Sequence, residues 1–104
     1  MKHPIACTLG RQDLAAQGER WRQLAATTRV ERTDLPDGLR LVFDRAPGVE
    51  AELAALVEIE RACCAFADWT LSVDPDHVVL DITAAGNAIP VVRRVAEERV
   101  IRLR

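Results

Sequence analysis

Apolar residues recur along this chain in two rhythms, and the changes from one to the other mark the predicted elements. Residues 4–9 set Ile5, Cys7 and Leu9 on one side, the period of two expected of a half-buried strand, and Gly10 ends the run. A helix follows to about Thr27, with Asp13 as its N-cap and Leu14, Gly18, Trp21, Leu24 and Ala25 as its apolar stripe. Thr27 and Thr28 weaken that helix, and Val30 opens a strand. Pro36-Asp37-Gly38 then supplies the turn of a hairpin whose second arm alternates Leu39, Leu41 and Phe43 toward a core. After Pro47-Gly48, residues 49–66 are rich in Ala, Leu and Glu and predict a second helix. Trp69, Leu71 and Val73 alternate next, Asp74-Pro75-Asp76 turns, and Val78, Leu80 and Ile82 alternate again. Gly86-Asn87 breaks the pattern. Residues 89–103 return to helical spacing with Ile89, Val92, Val95, Ala96, Val100 and Leu103, and Pro90 fits the first turn.

The expected order is therefore β-α-β-β-α-β-β-α. It predicts an α+β fold, a single-domain sandwich over residues 1–104. A mostly antiparallel sheet of four or five strands would carry three helices, largely on one face. The two helix–hairpin units resemble each other, with Glu19-Arg20 in one helix and Glu60-Arg61 in the other. That likeness reads equally as an internal repeat or as two similar solutions to packing a helix on a hairpin.

Composition narrows the function classes. The chain has 104 residues, 49% hydrophobic and 29% charged, enough to bury a core without metal or disulfide staples. A net charge of −2 argues against nucleic acid as a partner, since phosphate binding draws on clustered excess Lys and Arg. The arginines at 93, 94, 99, 102 and 104 are interleaved with Glu97 and Glu98, as on a solvated helix face. No apolar run reaches the length of a membrane span and the start lacks a signal-peptide core, so a cytoplasmic protein without membrane contact is expected. In that reducing compartment three cysteines read as thiols or thiolate ligands rather than as a disulfide framework.

Chemistry concentrates in the second helix. Cys63 and Cys64 are adjacent, about 100° apart around a helix, so they flank the buried face set by Leu53, Leu56, Val57 and Glu60. Neighbouring sulfurs on a helix cannot reach disulfide geometry without strain. Both lie near the helix C-terminus, where the dipole disfavours a free thiolate. Two thiolates on one turn can nevertheless help hold Zn²⁺, Cu⁺ or Hg²⁺, with Cys7 on the first strand as a third ligand. Packing of small apolar cysteines is the competing reading. Glu60 belongs to the apolar stripe, so its carboxylate must be paired, protonated or ligating. Pairing with Arg20 or Arg61 is one expectation, and a ligand role beside Cys63 and Cys64 is the other. His3 and His77 read as surface residues, although His3 is close enough to Cys7 to join a metal site. Trp21, Phe66 and Trp69 read as core aromatics.

The segments "IACTL", "ERW" and "ERACCAF" resemble a group of small uncharacterised bacterial proteins with an N-terminal cysteine strand and a Glu-Arg-x-Cys-Cys-x-Phe helix. Such proteins are associated with metal-resistance genes. The resemblance implies a soft-metal function for Cys7, Cys63 and Cys64. Ala65 stands where many relatives have proline, which implies a longer helix and a less exposed Cys64 here.

Three functions follow as expectations. The first is a soft-metal (Hg, Cu or Zn type) binding protein with Cys7, Cys63, Cys64 and Glu60 as ligands and a metal ion or small thiophilic ligand as its partner. The second is a small interaction or regulatory domain, a homodimer, with the cysteines merely packed. The third is an enzyme using Cys64 or Glu60 beneath Trp21 and Trp69.

Overall fold

The computed structural model describes residues 11–97, with side chains for 15–62 and 64–97. Over that range the order is α1 (Arg11–Thr27), β1 (Val30–Leu35), β2 (Gly38–Asp44), α2 (Val49–Cys63), β3 (Asp68–Val73), β4 (His77–Thr83), a 3₁₀ turn (Gly86–Ala88) and α3 (Ile89–Val95). The four strands form one antiparallel sheet in the order β1-β2-β4-β3, an α+β architecture. The predicted strand at 4–9, with Cys7, lies outside the described residues, as do His3, Val100 and Leu103.

Alternation dictates the sheet's two faces. Leu41 pairs with Leu80, and Leu80 with Leu71, so one row of apolar side chains crosses the sheet on the inner face. Leu39, Leu41 and Phe43 of β2 and Val78, Leu80 and Ile82 of β4 are buried, together with Trp69 of β3. Helices cover this face with Trp21 and Leu24 from α1, Leu53, Leu56 and Val57 from α2, and Val92 from α3. The outer face is mixed: Arg40 and Asp81 stand directly opposite each other and share two hydrogen bonds of 2.8 and 3.0 Å, next to a Val42–Val79 pair.

β1 departs from this pattern, because its inner positions past Val30 are Arg32 and Asp34. Arg32 bonds Asp34 and also Glu97 beyond α3, while Arg93 of α3 donates to the Leu35 carbonyl at 2.7 Å. Polar links thus tie the outer strand to the last helix where the hydrophobic core runs out.

Two packing demands fix the turns. Gly38 begins β2 so close to β4 that a Cβ would sit 1.9 Å from the Ile82 carbonyl oxygen, and no side chain fits there. Gly48 precedes α2 with φ of 85°, in the left-handed region that glycine adopts at little cost.

Two predicted boundaries change, and one holds. α1 is already helical at Arg11, the first described residue, so Asp13 lies within it rather than capping it. The third helix, predicted to begin at Ile89, does so, but a 3₁₀ turn precedes it. The second helix was expected to run to residue 66 and instead ends at Cys63. Cys64 leaves helical geometry at φ −120°, ψ 59°. There the chain folds back: the Ala67 N–H and the Trp69 indole both donate to the Cys64 carbonyl, at 3.3 Å each. Arg61 completes the clasp by donating to the Trp69 carbonyl through Nε and Nη2, at 3.1 and 2.6 Å. The helix stops because β3 must enter the sheet beside β4, and the Trp69 side chain has to turn into the core.

Candidate functional site

Glu60 is placed by the same helical period that places the core. It follows Leu53, Leu56 and Val57 on the buried side of α2 and is fully inaccessible to solvent. A carboxyl group there requires hydrogen bonds, since desolvation without them costs several kcal/mol (about 2–7 for a polar group, more for a charge). α1 supplies two. The Trp21 indole N–H and the Gln17 side-chain amide both donate to Oε2, each at 2.9 Å. Gln17 Nε2 also reaches the Leu56 carbonyl at 3.2 Å, so the amide ties α1 to the α2 backbone as well as to its carboxyl.

The other carboxyl oxygen faces sulfur. Cys64 follows Glu60 by four residues, one helical turn, and its Sγ lies 3.8 Å from Oε1. Cys64 is wholly buried. Its carbonyl accepts from Trp69, so the two tryptophans bracket the pair: Trp21 holds Glu60 and Trp69 holds the Cys64 backbone.

The arginine pairings expected for Glu60 do not occur. Arg20 makes a two-pronged contact with Glu52, at 2.9 and 3.1 Å, which joins α1 to α2 nearer the helix start. Arg61 pairs with Glu58 and with the Trp69 carbonyl. Helical geometry explains both results. Arg20 sits three residues beyond Gln17 and faces the Glu52 turn. Arg61 is rotated about 100° from Glu60, toward β3.

Of the predicted ligand set, the described side chains comprise Glu60 and Cys64, and the structure brings these two into contact. Cys63 is the last residue of α2, its side chain outside the described residues, and Cys7 lies outside them altogether. Among the described residues no three His, Cys, Asp or Glu side chains converge to hold a metal ion. His77 opens β4 at the far end of the hairpin, with its ring 3.5 Å from Asp74 and 3.8 Å from Asp44, and takes no part in the site. Phe66, expected in the core, is only partly buried beside it. A surface groove lined by Arg45, Pro47, Glu50, Ala51 and Ala54 lies at the other end of α2 and touches none of the site residues.

Gln17 is the site residue missed from sequence. It is four residues before Trp21 and seven before Leu24, on the same helical stripe, and that spacing was the available signal. Its polarity placed it with the solvated positions. Only a buried acceptor on the facing helix gives a reason for an amide in that row.

No helix among the described residues is long and apolar enough to cross a membrane. Compared with known protein families, curated proteins and solved structures, the chain matches no family model, no curated protein and no structure.

Proposed function

We propose that this protein binds a thiophilic metal ion of the Hg, Cu or Zn type at the C-terminal end of α2. Cys64, Cys63 and Cys7 would supply thiolates, and Glu60 would supply an oxygen beside them. The observation that carries this reading is the contact between two wholly buried groups, the Cys64 thiol and the Glu60 carboxyl, 3.8 Å apart. Both are ordinary ligands of such ions. A core needs neither for packing alone, and an apolar pair of the same size would avoid the desolvation cost of the carboxyl.

Electrostatics supports the same reading. Cys64 caps the carbonyl end of α2, where the negative pole of the helix opposes a bare thiolate. A cation bound between sulfur and carboxylate removes that conflict. The reducing cytoplasm, where thiols persist, is the compartment this chemistry fits.

Native mass spectrometry of the reduced protein with one equivalent of Hg²⁺, Cu⁺ or Zn²⁺ tests the proposal. A one-to-one adduct is expected in the wild type and is lost on substituting Cys63→Ser and Cys64→Ser together. Unchanged binding by that double variant, or no adduct with any of the three ions, overturns it.

A further inference from the structure

We propose that residues 64–68 act as a strap over the Cys64–Glu60 pair. The strap lifts from the core as a local unit while α1 stays docked, and a thiophilic ion or reagent meets the Cys64 thiol by that route. The inference rests on the metal-binding reading above for the occupant and adds the control of its entry.

Burial makes an opening necessary. Cys64 and Glu60 are both wholly inaccessible, so nothing from solvent reaches them in the closed fold. Among the described residues two elements hold the pair, and they hold it unequally. α1 grips the carboxyl through donors that are themselves buried, Gln17 and Trp21, each 2.9 Å from Oε2. Gln17 also reaches the Leu56 carbonyl at 3.2 Å, and Arg20 holds Glu52 with two bonds. Lifting α1 would break all of these together and expose Trp21 and Leu24, which belong to the core. An indole is among the largest apolar areas that a side chain buries.

The turn after α2 holds the thiol side with less. Cys64 has left helical geometry, and the bonds from the Ala67 N–H and the Trp69 indole both fall on its one carbonyl, at 3.3 Å each. That is longer than the usual N–H···O range of about 2.7–3.2 Å. Ala65 and Asp68 are exposed and Phe66 is half-buried, so little apolar area meets water when the strap lifts. Segments with few buried contacts open before the core does. The two roots of the strap stay fixed. Trp69 pairs with Ile82 in the sheet, and Arg61 reaches from α2 to the Trp69 carbonyl at 3.1 and 2.6 Å. Arg61 is therefore the latch, because it sets the distance between the end of α2 and the start of β3.

The test uses the reduced full-length chain with no metal added. Native-state labelling of Cys64 by iodoacetamide is followed by tandem mass spectrometry, which separates Cys64 from the adjacent Cys63. It is compared with hydrogen exchange at the Ala67 amide, the Trp69 indole and the Trp21 indole, each corrected for its intrinsic rate. Cys64, Ala67 and Trp69 should report one opening constant within about threefold, and it should change little in dilute urea because the strap exposes little surface. The Trp21 indole should exchange at least about tenfold more slowly, with the steep urea dependence of global unfolding. Trp69→Phe keeps a ring in the core and deletes the bond to the Cys64 carbonyl, so labelling should speed up at least about threefold. Arg20→Ala loosens α1 on α2 instead and should leave the labelling rate within about twofold.

Labelling that follows the Trp21 indole and the urea dependence of global unfolding would overturn the inference, because the thiol would then be reached only when the whole core opens. Labelling faster than Ala67 exchange would overturn it as well, since the thiol would be reached without the strap lifting. Neither measurement contains an ion, so either failure leaves the metal-binding reading standing. That reading fails separately, if Cys63→Ser with Cys64→Ser binds every ion like the wild type.

Discussion

The indole N–H of Trp21 donates to Oε2 of Glu60 across the α1–α2 interface, at 2.9 Å and with both residues buried. This bond joins two elements that are 39 positions apart in sequence. With the Gln17 amide on the same oxygen, it converts a carboxyl group in an apolar core from a liability into a link between helices. The consequences are measurable.

Trp21→Phe keeps most of the ring volume and deletes the donor. Losing a hydrogen bond to a buried carboxyl group is expected to cost about 1–3 kcal/mol. The urea midpoint should fall with little change in the slope of the unfolding curve. A loss below about 0.5 kcal/mol would show that the bond contributes nothing net.

Glu60→Leu removes the acceptor and strands two buried donors, Trp21 Nε1 and Gln17 Nε2. It should destabilise more than Trp21→Phe does. The triple variant Gln17→Leu, Trp21→Phe, Glu60→Leu should recover most of that loss, because a wholly apolar replacement leaves nothing unsatisfied. Chemical denaturation of the full set of single and combined variants reads the coupling. Strict additivity would contradict the network described.

Gly38→Ala places a methyl group 1.9 Å from the Ile82 carbonyl oxygen, on backbone that cannot yield without shifting β4. A loss of at least about 2 kcal/mol is expected, toward the upper part of the range for overpacking. The opposite result is expected at Gly86: a Cβ there has open space, so the cost is set by its φ of 57° alone and should be smaller. Thermal melts of the two variants make the comparison.

Arg61 clasps the Trp69 carbonyl beside the end of α2. Arg61→Ala should loosen the turn that seals Cys64. The rate at which maleimide labels Cys64 in the native protein, followed by peptide mass mapping, should rise at least several-fold. An unchanged rate would mean that core packing alone protects the thiol.

Asp74 accepts the backbone N–H groups of Asp76 and His77, at 2.8 and 2.6 Å, and these bonds hold its carboxyl below the ordinary value of 3.8. Because the folded-state value is depressed, its stabilisation of the β3–β4 turn is complete above 3.8. It is lost as pH falls through the lower folded value. Asp74→Ala should therefore melt below the wild type at pH 6. The gap should close once the carboxyl is protonated in both states, which melts between pH 6 and pH 2 would follow.

The strands were readable because period-two alternation survives packing. Leu39, Leu41 and Phe43, and Val78, Leu80 and Ile82, are buried on one face as their spacing predicts. The helix ends were less readable. Residues 49–66 look helical throughout, but α2 yields at Cys64 to bonds from Ala67 and Trp69 that no local propensity encodes. In the site, the position of Glu60 on an apolar stripe was legible and its partners were not. Arg20 and Arg61 are the nearest oppositely charged residues in the matched Glu-Arg pairs, and both point elsewhere.

The sequence by itself determined much of the inward face: periodicity assigns Trp21, Leu56 and Glu60 to it and sets Cys63 and Cys64 at its edges, because side-chain direction follows from backbone geometry. Only the tertiary structure decided what those inward groups meet. The order β1-β2-β4-β3 and the docking of α1 on α2 set Gln17 and Trp21 over one oxygen of Glu60 and leave the other facing sulfur. Contacts of that kind depend on the relative rotation of two helices, which no spacing within either helix contains.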